Sequence, residues 1–165
     1  MKTPADAANL RRALVTIVSL VLGIALSGCA ETPRYPIPPG LESLYAKPSP
    51  FESIPRTQWI AESRNAYVIR DINPKAPIHL LVIPKKRVPT LLQASPELLG
   101  EMFDLAKKAA VQEGIADSGF RTIINTHPDS RQSVYQLHIH VLGGRKMDWT
   151  DGFTDGDAAR VQSGK

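Results

Sequence analysis

His138 and His140 stand two positions apart in an apolar run, QSVYQLHIHVLGGR over residues 132–145, and Gln136 occupies the place two residues before them. In an extended strand successive side chains alternate faces, so Gln136, His138 and His140 share one side while Leu137, Ile139 and Val141 share the other. Two imidazoles so spaced, about 7 Å apart at the backbone, reach one small group lying across the strand. Imidazole can ligate a metal, carry a proton near neutral pH or attack an electrophile. Three uses therefore compete: a metal site, nucleophilic or acid–base chemistry, and a surface pair with no role. Zinc takes three or four protein ligands as a rule. Here no carboxylate lies close in sequence, Cys29 is the only cysteine, and His79 and His127 are the remaining histidines. A polar turn, His127 to Gln132, precedes Ser133, and such a turn offers backbone amides and a hydroxyl to an anion.

The elements that must hold these side chains alternate along the chain. Strand character appears in TQWIAES, NAYVIRD, HLLVIP, FRTIIN and YQLHIHVLG, each bounded by turn formers such as Asn73-Pro74, Pro84 and Gly143-Gly144. One segment has helical spacing instead. Ser95 can cap it, Pro96 suits its first turn, Leu98, Met102, Leu105 and Ala109 recur on one face, and Gly114 stops it. Five strands with a single amphipathic helix leave too few crossovers for a parallel sheet. The fold class expected is α+β, with a mostly antiparallel sheet whose aliphatic face meets the helix.

The first 28 residues differ from the rest. Lys2, Arg11 and Arg12 precede the apolar run ALVTIVSLVLGIAL, and Leu26-Ser27-Gly28-Cys29 follows. This pattern is expected to be an export signal, and LSGC resembles the bacterial lipobox, which implies cleavage before Cys29 and lipidation of that residue. The other reading is an uncut signal anchor, for which the apolar run is short. Residues 29–50 contain six prolines without a sustained period and are expected to form a linker, either semi-extended away from the domain or packed loosely on its surface. Residues 150–165 are expected to be a disordered polar tail. Loss of Lys2, Arg11, Arg12 and Asp6 with the signal would take the formal charge from +4 to +2, which gives little reason to expect nucleic acid as a partner. The expected location is the bacterial cell envelope, facing the periplasm, and Ala30 after the cysteine leans toward the outer membrane.

The stretches APIHLLVIPKK, residues 76–86, and SVYQLHIHVLGGRKMDW, residues 133–149, resemble the histidine-triad (HIT) family, and most of all its Hint-like branch. The resemblance runs from about Trp59 to Trp149, so the HIT domain is placed at residues 51–149. It implies a nucleotidyl hydrolase or transferase acting at the α-phosphate of a purine nucleotide, with no cofactor and no metal. His138 would be the nucleophile, its tautomer held by the main-chain carbonyl of Gln136, which replaces the first histidine of the triad. His140 would donate to phosphate oxygens, and His79 would support the site from the adjoining strand. Ser133 and the amides of Arg131 and Gln132 match the phosphate-contacting turn. Asp71 and Ile72 match ribose and base contacts, and Asn125 a second ribose contact. The resemblance also implies a homodimer, with Trp149 near the partner's site. Arg87 departs from the histidine usual after the paired lysines, and Ser130-Arg131 from a usual pair of glycines. A non-catalytic nucleotide-binding module and a structural envelope lipoprotein on the same fold are the alternatives.

Overall fold

The computed structural model describes residues 35–148. The signal, Cys29, Trp149 and the polar tail therefore lie outside the described residues. Among the described residues helix α1 (Glu42–Ala46) comes first, followed by β1 (Ala61–Glu62), β2 (Ala66–Arg70), β3 (Ile78–Pro84), helix α2 (Pro96–Gln112), β4 (Phe120–Ile123) and β5 (Ile139–Gly143). The strands form one antiparallel sheet in the order β1-β2-β3-β5-β4. This is the expected α+β architecture. β5 lies inside the sheet, between β3 and β4, which gives its side chains neighbours on both flanks.

Two layers cover the sheet, and the period of two in the strands decides which residue meets which. Ala66, Val68, Leu80, Val82, Leu137, Ile139 and Val141 pack with Met102, Leu105, Ala106, Ala109 and Ala110 of α2. Burying each Val, Leu or Ile is worth roughly 1.5–3 kcal/mol over leaving it exposed, so this layer holds β5 in register. Ser95 caps α2 by accepting from the Leu98 amide, as its sequence position suggests. Gly114 ends the helix at φ +69°, a conformation that costs a residue with a Cβ. Gly143 has a different reason to be glycine: a Cβ there would come within 2.7 Å of Ile115 Cδ1.

The opposite face carries Tyr67, Ile69, Leu81 and Ile83, covered by Phe51, Ile54 and Trp59. Trp59 stacks on Tyr67 with ring centroids 4.2 Å apart. His79 and His140 belong to this face by register, since His140 pairs with Leu81 and His79 with Leu142.

Two elements differ from the sequence expectation. Regular pairing of β5 begins at Ile139, whereas YQLHIHVLG reads as a strand from Tyr135. The last residue of β3 is Pro84, which has no amide hydrogen to continue the ladder. Leu137 instead donates to the Val88 carbonyl at 2.6 Å. The alternation of faces nevertheless persists through Leu137 and His138. The second difference concerns how closely the proline-rich linker packs, a loose surface contact being the tighter of its two expected states. Its part from Leu41 to Pro50 is folded onto the domain: α1 buries Tyr45, and Ser49 caps a 3₁₀ turn over Pro50–Ser53. Isolated aromatic anchors separated by prolines leave no period to read. Only their distant partners show that the segment is ordered.

Candidate active site

His138 is 7% exposed and its Nδ1 lies 2.7 Å from the Gln136 carbonyl oxygen. A carbonyl can only accept, so Nδ1 carries the proton and Nε2 keeps its lone pair. The opposite assignment follows for His140. The Lys75 amide donates to Nδ1 of His79 at 3.1 Å, which places the His79 proton on Nε2. That Nε2–H lies 2.9 Å from Nδ1 of His140 and donates to it, leaving the His140 proton on Nε2. Two backbone groups thus make neighbouring imidazoles complementary, one with an unprotonated Nε2 and one with an Nε2–H donor. The rings are edge to face with centroids 4.8 Å apart.

Burial keeps the set neutral. His138 is driven below the usual imidazole range by desolvation, against weaker opposing effects from the Gln136 carbonyl and Asp71. Desolvation, helped by His138 and His79, pushes His140 down to about 3. His79 is also lowered by burial, although Asp71, 3.4 Å from its Nε2, partly restores it. An uncharged His138 with its lone pair available is the form that attacks an electrophile.

Asp71, His79 and His140 are the described residues whose ligand atoms converge, within 4.8 Å of one another. The facing nitrogens of His79 and His140 are joined by a shared proton, and the other nitrogen of His79 accepts from the Lys75 amide. A metal would have to break that chain, so the donor set fits a hydrogen-bonded relay better than a cation site.

The structure brings His79, His138, His140 and Asp71 together and holds Gln136 beside them. The Gln136 side chain is 2% exposed and donates to the Pro84 carbonyl, which staples the segment before β5 to the end of β3. Two of the expected phosphate donors are already engaged. The amides of Arg131 and Gln132 are consumed inside their own turn, donating to Pro128 and His127 carbonyls at 2.8 and 3.2 Å. The Gln132 side chain is equally engaged, accepting from the His127 amide and donating to the Pro89 and Val134 carbonyls. These two residues shape the turn through their backbone amides, while the side chains of Arg131 and Ser133 are exposed. Asn125 is half-buried just past β4, and Ile72, next to Asp71, is 91% exposed.

The turn carries backbone strain. Arg131 is left-handed at φ 62° and ψ 34°, where a glycine sits without penalty and another residue is disfavoured by roughly 1–2 kcal/mol. His127, at φ 69° and ψ 175°, occupies a region that essentially only glycine enters freely. Sequence reasoning missed what holds it: Tyr45 Oη lies 2.9 Å from His127 Nε2. It also missed Phe51, whose ring meets the His138 ring edge to face at 5.2 Å.

Residues 54–147 match the HIT domain family. The chain belongs to the HIT family. Among HIT relatives, it is 48% identical over 81 residues to the purine nucleoside phosphoramidase of Escherichia coli K12, covering 47% of this chain and 68% of that protein. It is 43% identical over 106 residues to the 14 kDa zinc-binding protein of Zea mays, covering 61% of this chain and 81% of that one. The HIT family hydrolase of Legionella pneumophila superposes with a TM-score of 0.55 at 41% identity, over 58% of this chain and 88% of the other. The HIT architecture is thereby shared with relatives that include hydrolases.

Two expectations follow from this geometry. The three lowered imidazoles take up protons at lower pH in the folded protein than in the unfolded chain, His140 only near pH 3, so the unfolded state binds more protons below pH 6.5. Stability should be flat with respect to these groups above pH 6.5 and fall as pH drops toward 3. Urea unfolding between pH 7 and pH 5 should show a declining midpoint, and His140→Gln should flatten the decline. Secondly, Gln136→Leu removes the bond to the buried Pro84 carbonyl but also a buried Oε1 that has no partner, so the two effects oppose and the net loss should be at most about 1 kcal/mol. The carbonyl that orients His138 survives that change, so the slowly exchanging Nδ1–H signal of His138 should persist in its proton spectrum.

Proposed function

We propose that this chain is a lipid-anchored, exported hydrolase of the Hint-like branch that cleaves nucleotide phosphoramidates or phosphoanhydrides at the α-phosphate. The observation that carries this reading is the bond between His138 Nδ1 and the Gln136 carbonyl, which leaves Nε2 as a nucleophile without a histidine at position 136. Nε2 attacks the α-phosphorus and forms a P–N bond while the bond to the amine or phosphate leaving group breaks. The leaving group departs with its electron pair and takes up a proton. Water then cleaves the P–N bond, releasing the nucleoside monophosphate and free His138. His140 Nε2–H donates to a phosphate oxygen as negative charge grows, in a dry site where one such bond counts for more than in water. Ser133 contacts the phosphate, and Asp71, Ile72 and Asn125 hold the purine nucleoside. Identity to a purine nucleoside phosphoramidase supports the substrate class.

Cys29, at the end of LSGC, carries the lipid anchor and places the enzyme on the envelope membrane, facing the periplasm. β4 is an outer strand of the sheet, which suits extension of the ladder by a second copy in a homodimer. The cover of Phe51 over His138 favours one second reading, a nucleotide-binding module in which the ring is too enclosed for turnover.

The deciding experiment is mass spectrometry of protein quenched during reaction with adenosine 5′-phosphoramidate. An adenylyl adduct on His138, absent together with turnover in His138→Ala, is expected. Retained AMP binding with neither adduct nor turnover would establish the binding module instead. Cys29→Ser should release the protein from membranes with its turnover unchanged. A serine variant that still partitions into membranes would overturn the anchor assignment.

A further inference from the structure

Arg87 follows the paired lysines at the end of β3 and is only partly exposed. Its Nη2 donates to three carbonyls, those of Tyr45 at 2.8 Å, Lys47 at 2.6 Å and Tyr135 at 3.3 Å. Its Nη1 lies 3.6 Å from a carboxylate oxygen of Glu52. Two of the carbonyls and the carboxylate belong to the amino-terminal arm, residues 41–54. The third, Tyr135, immediately precedes Gln136, whose carbonyl aims His138. One guanidinium therefore ties the arm to the peptide next to the orienting one.

The arm grips the same segment at other points. Tyr45 reaches His127 through its hydroxyl and packs its ring on Tyr135 with centroids 5.2 Å apart. Its bond with His127 falls on the residue whose backbone is strained, so the arm helps hold a turn that would otherwise relax. Farther along, Phe51 touches the His138 ring and its carbonyl accepts from Tyr67 Oη at 3.0 Å. The segment from His127 to His138 is thus contacted at its first residue, at Tyr135 and at its last.

We propose that Arg87 is a positioning residue for His138, its guanidinium fastening the amino-terminal arm to the segment that carries the Gln136 carbonyl. The role depends on guanidinium geometry. A planar fork of donors can serve several carbonyls in fixed directions, whereas a lysine ammonium is a point charge on a flexible stem. The proposal rests on the reading of His138 as the nucleophile, yet its main readout needs no turnover.

The test uses the full chain, labelled with ¹⁵N-histidine and solubilised in detergent, as wild type, Arg87→Ala, Arg87→Lys and Tyr45→Phe. In Arg87→Ala the His138 Nδ1–H resonance should be lost to exchange and hydrogen exchange should rise in residues 41–53 and 127–136. With adenosine 5′-phosphoramidate, kcat should fall by roughly 10- to 100-fold, the size of effect that misplacing a reacting group produces, with a smaller change in KM. Arg87→Lys should recover only part of each signal. Tyr45→Phe, which keeps the ring and removes the hydroxyl, should raise exchange in the turn while leaving the global unfolding transition in place. Should Arg87→Ala not fold, the lysine variant decides by the same resonance and exchange data. An unchanged Nδ1–H signal with unchanged exchange in the arm overturns the proposal. If wild type shows no turnover but Arg87→Ala still loses the resonance, positioning stands and the hydrolase reading fails. Wild-type turnover with no effect of Arg87 substitution gives the reverse.

Discussion

A single hydrogen bond, from Nδ1 of His138 to the carbonyl oxygen of Gln136, sets the chemistry of the site. It decides which ring nitrogen keeps a lone pair, and it does so with a backbone group, so the side chain at 136 is released for another task. Gln136 uses that freedom to bond the Pro84 carbonyl, closing the gap where the β3–β5 ladder ends. The orienting bond needs the segment before β5 to keep its alternation without regular pairing. That alternation is secured from the other side of the sheet, where Leu137 and Ile139 are locked into the layer beneath α2. Packing on one face thereby aims a nitrogen on the other.

Burial is the second constraint, and it outweighs charge. Asp71 favours the protonated forms of His79 and His138, but desolvation is the larger effect on both. Burial, reinforced by the neighbouring rings of His138 and His79, which disfavour a further positive charge, holds His140 down to about 3. The result is a set of neutral rings whose protons are placed by hydrogen bonds rather than by pH. The chain from the Lys75 amide through His79 to His140 turns one backbone N–H on a loop into an N–H donor inside the site.

Neutral, oriented rings require a rigid surrounding, and the turn from His127 to Arg131 is intrinsically unfavourable for the residues it contains. Both ends have positive φ without glycine. The turn closes on itself through the Arg131 and Gln132 amides, and the Gln132 side chain bridges it to Pro89 and Val134. Strain of this kind survives only where neighbours over-determine the conformation. The arm before β1, with Tyr45, Arg87 and Phe51 at its contacts, supplies part of that surrounding and encloses His138 at the same time.

Local pattern was enough for the architecture. Period-two runs located the five strands, Ser95, Pro96 and Gly114 bounded α2, and alternation in QLHIHVL put the imidazoles opposite the helix. These signals are legible because each depends on neighbours within one element. The resemblance of two short motifs likewise pointed to His138, His140 and His79, which the fold brings together. What sequence could not show was long-range. The Gln136 carbonyl as holder of the His138 proton was already implied by the resemblance, but the His140 proton depends on His79, 61 positions away, and the folding of residues 41–50 depends on partners more than 35 positions away, such as His127 for Tyr45 and Arg87 for Lys47. Contacts between segments so far apart leave no period in either one, so only the folded chain decides them.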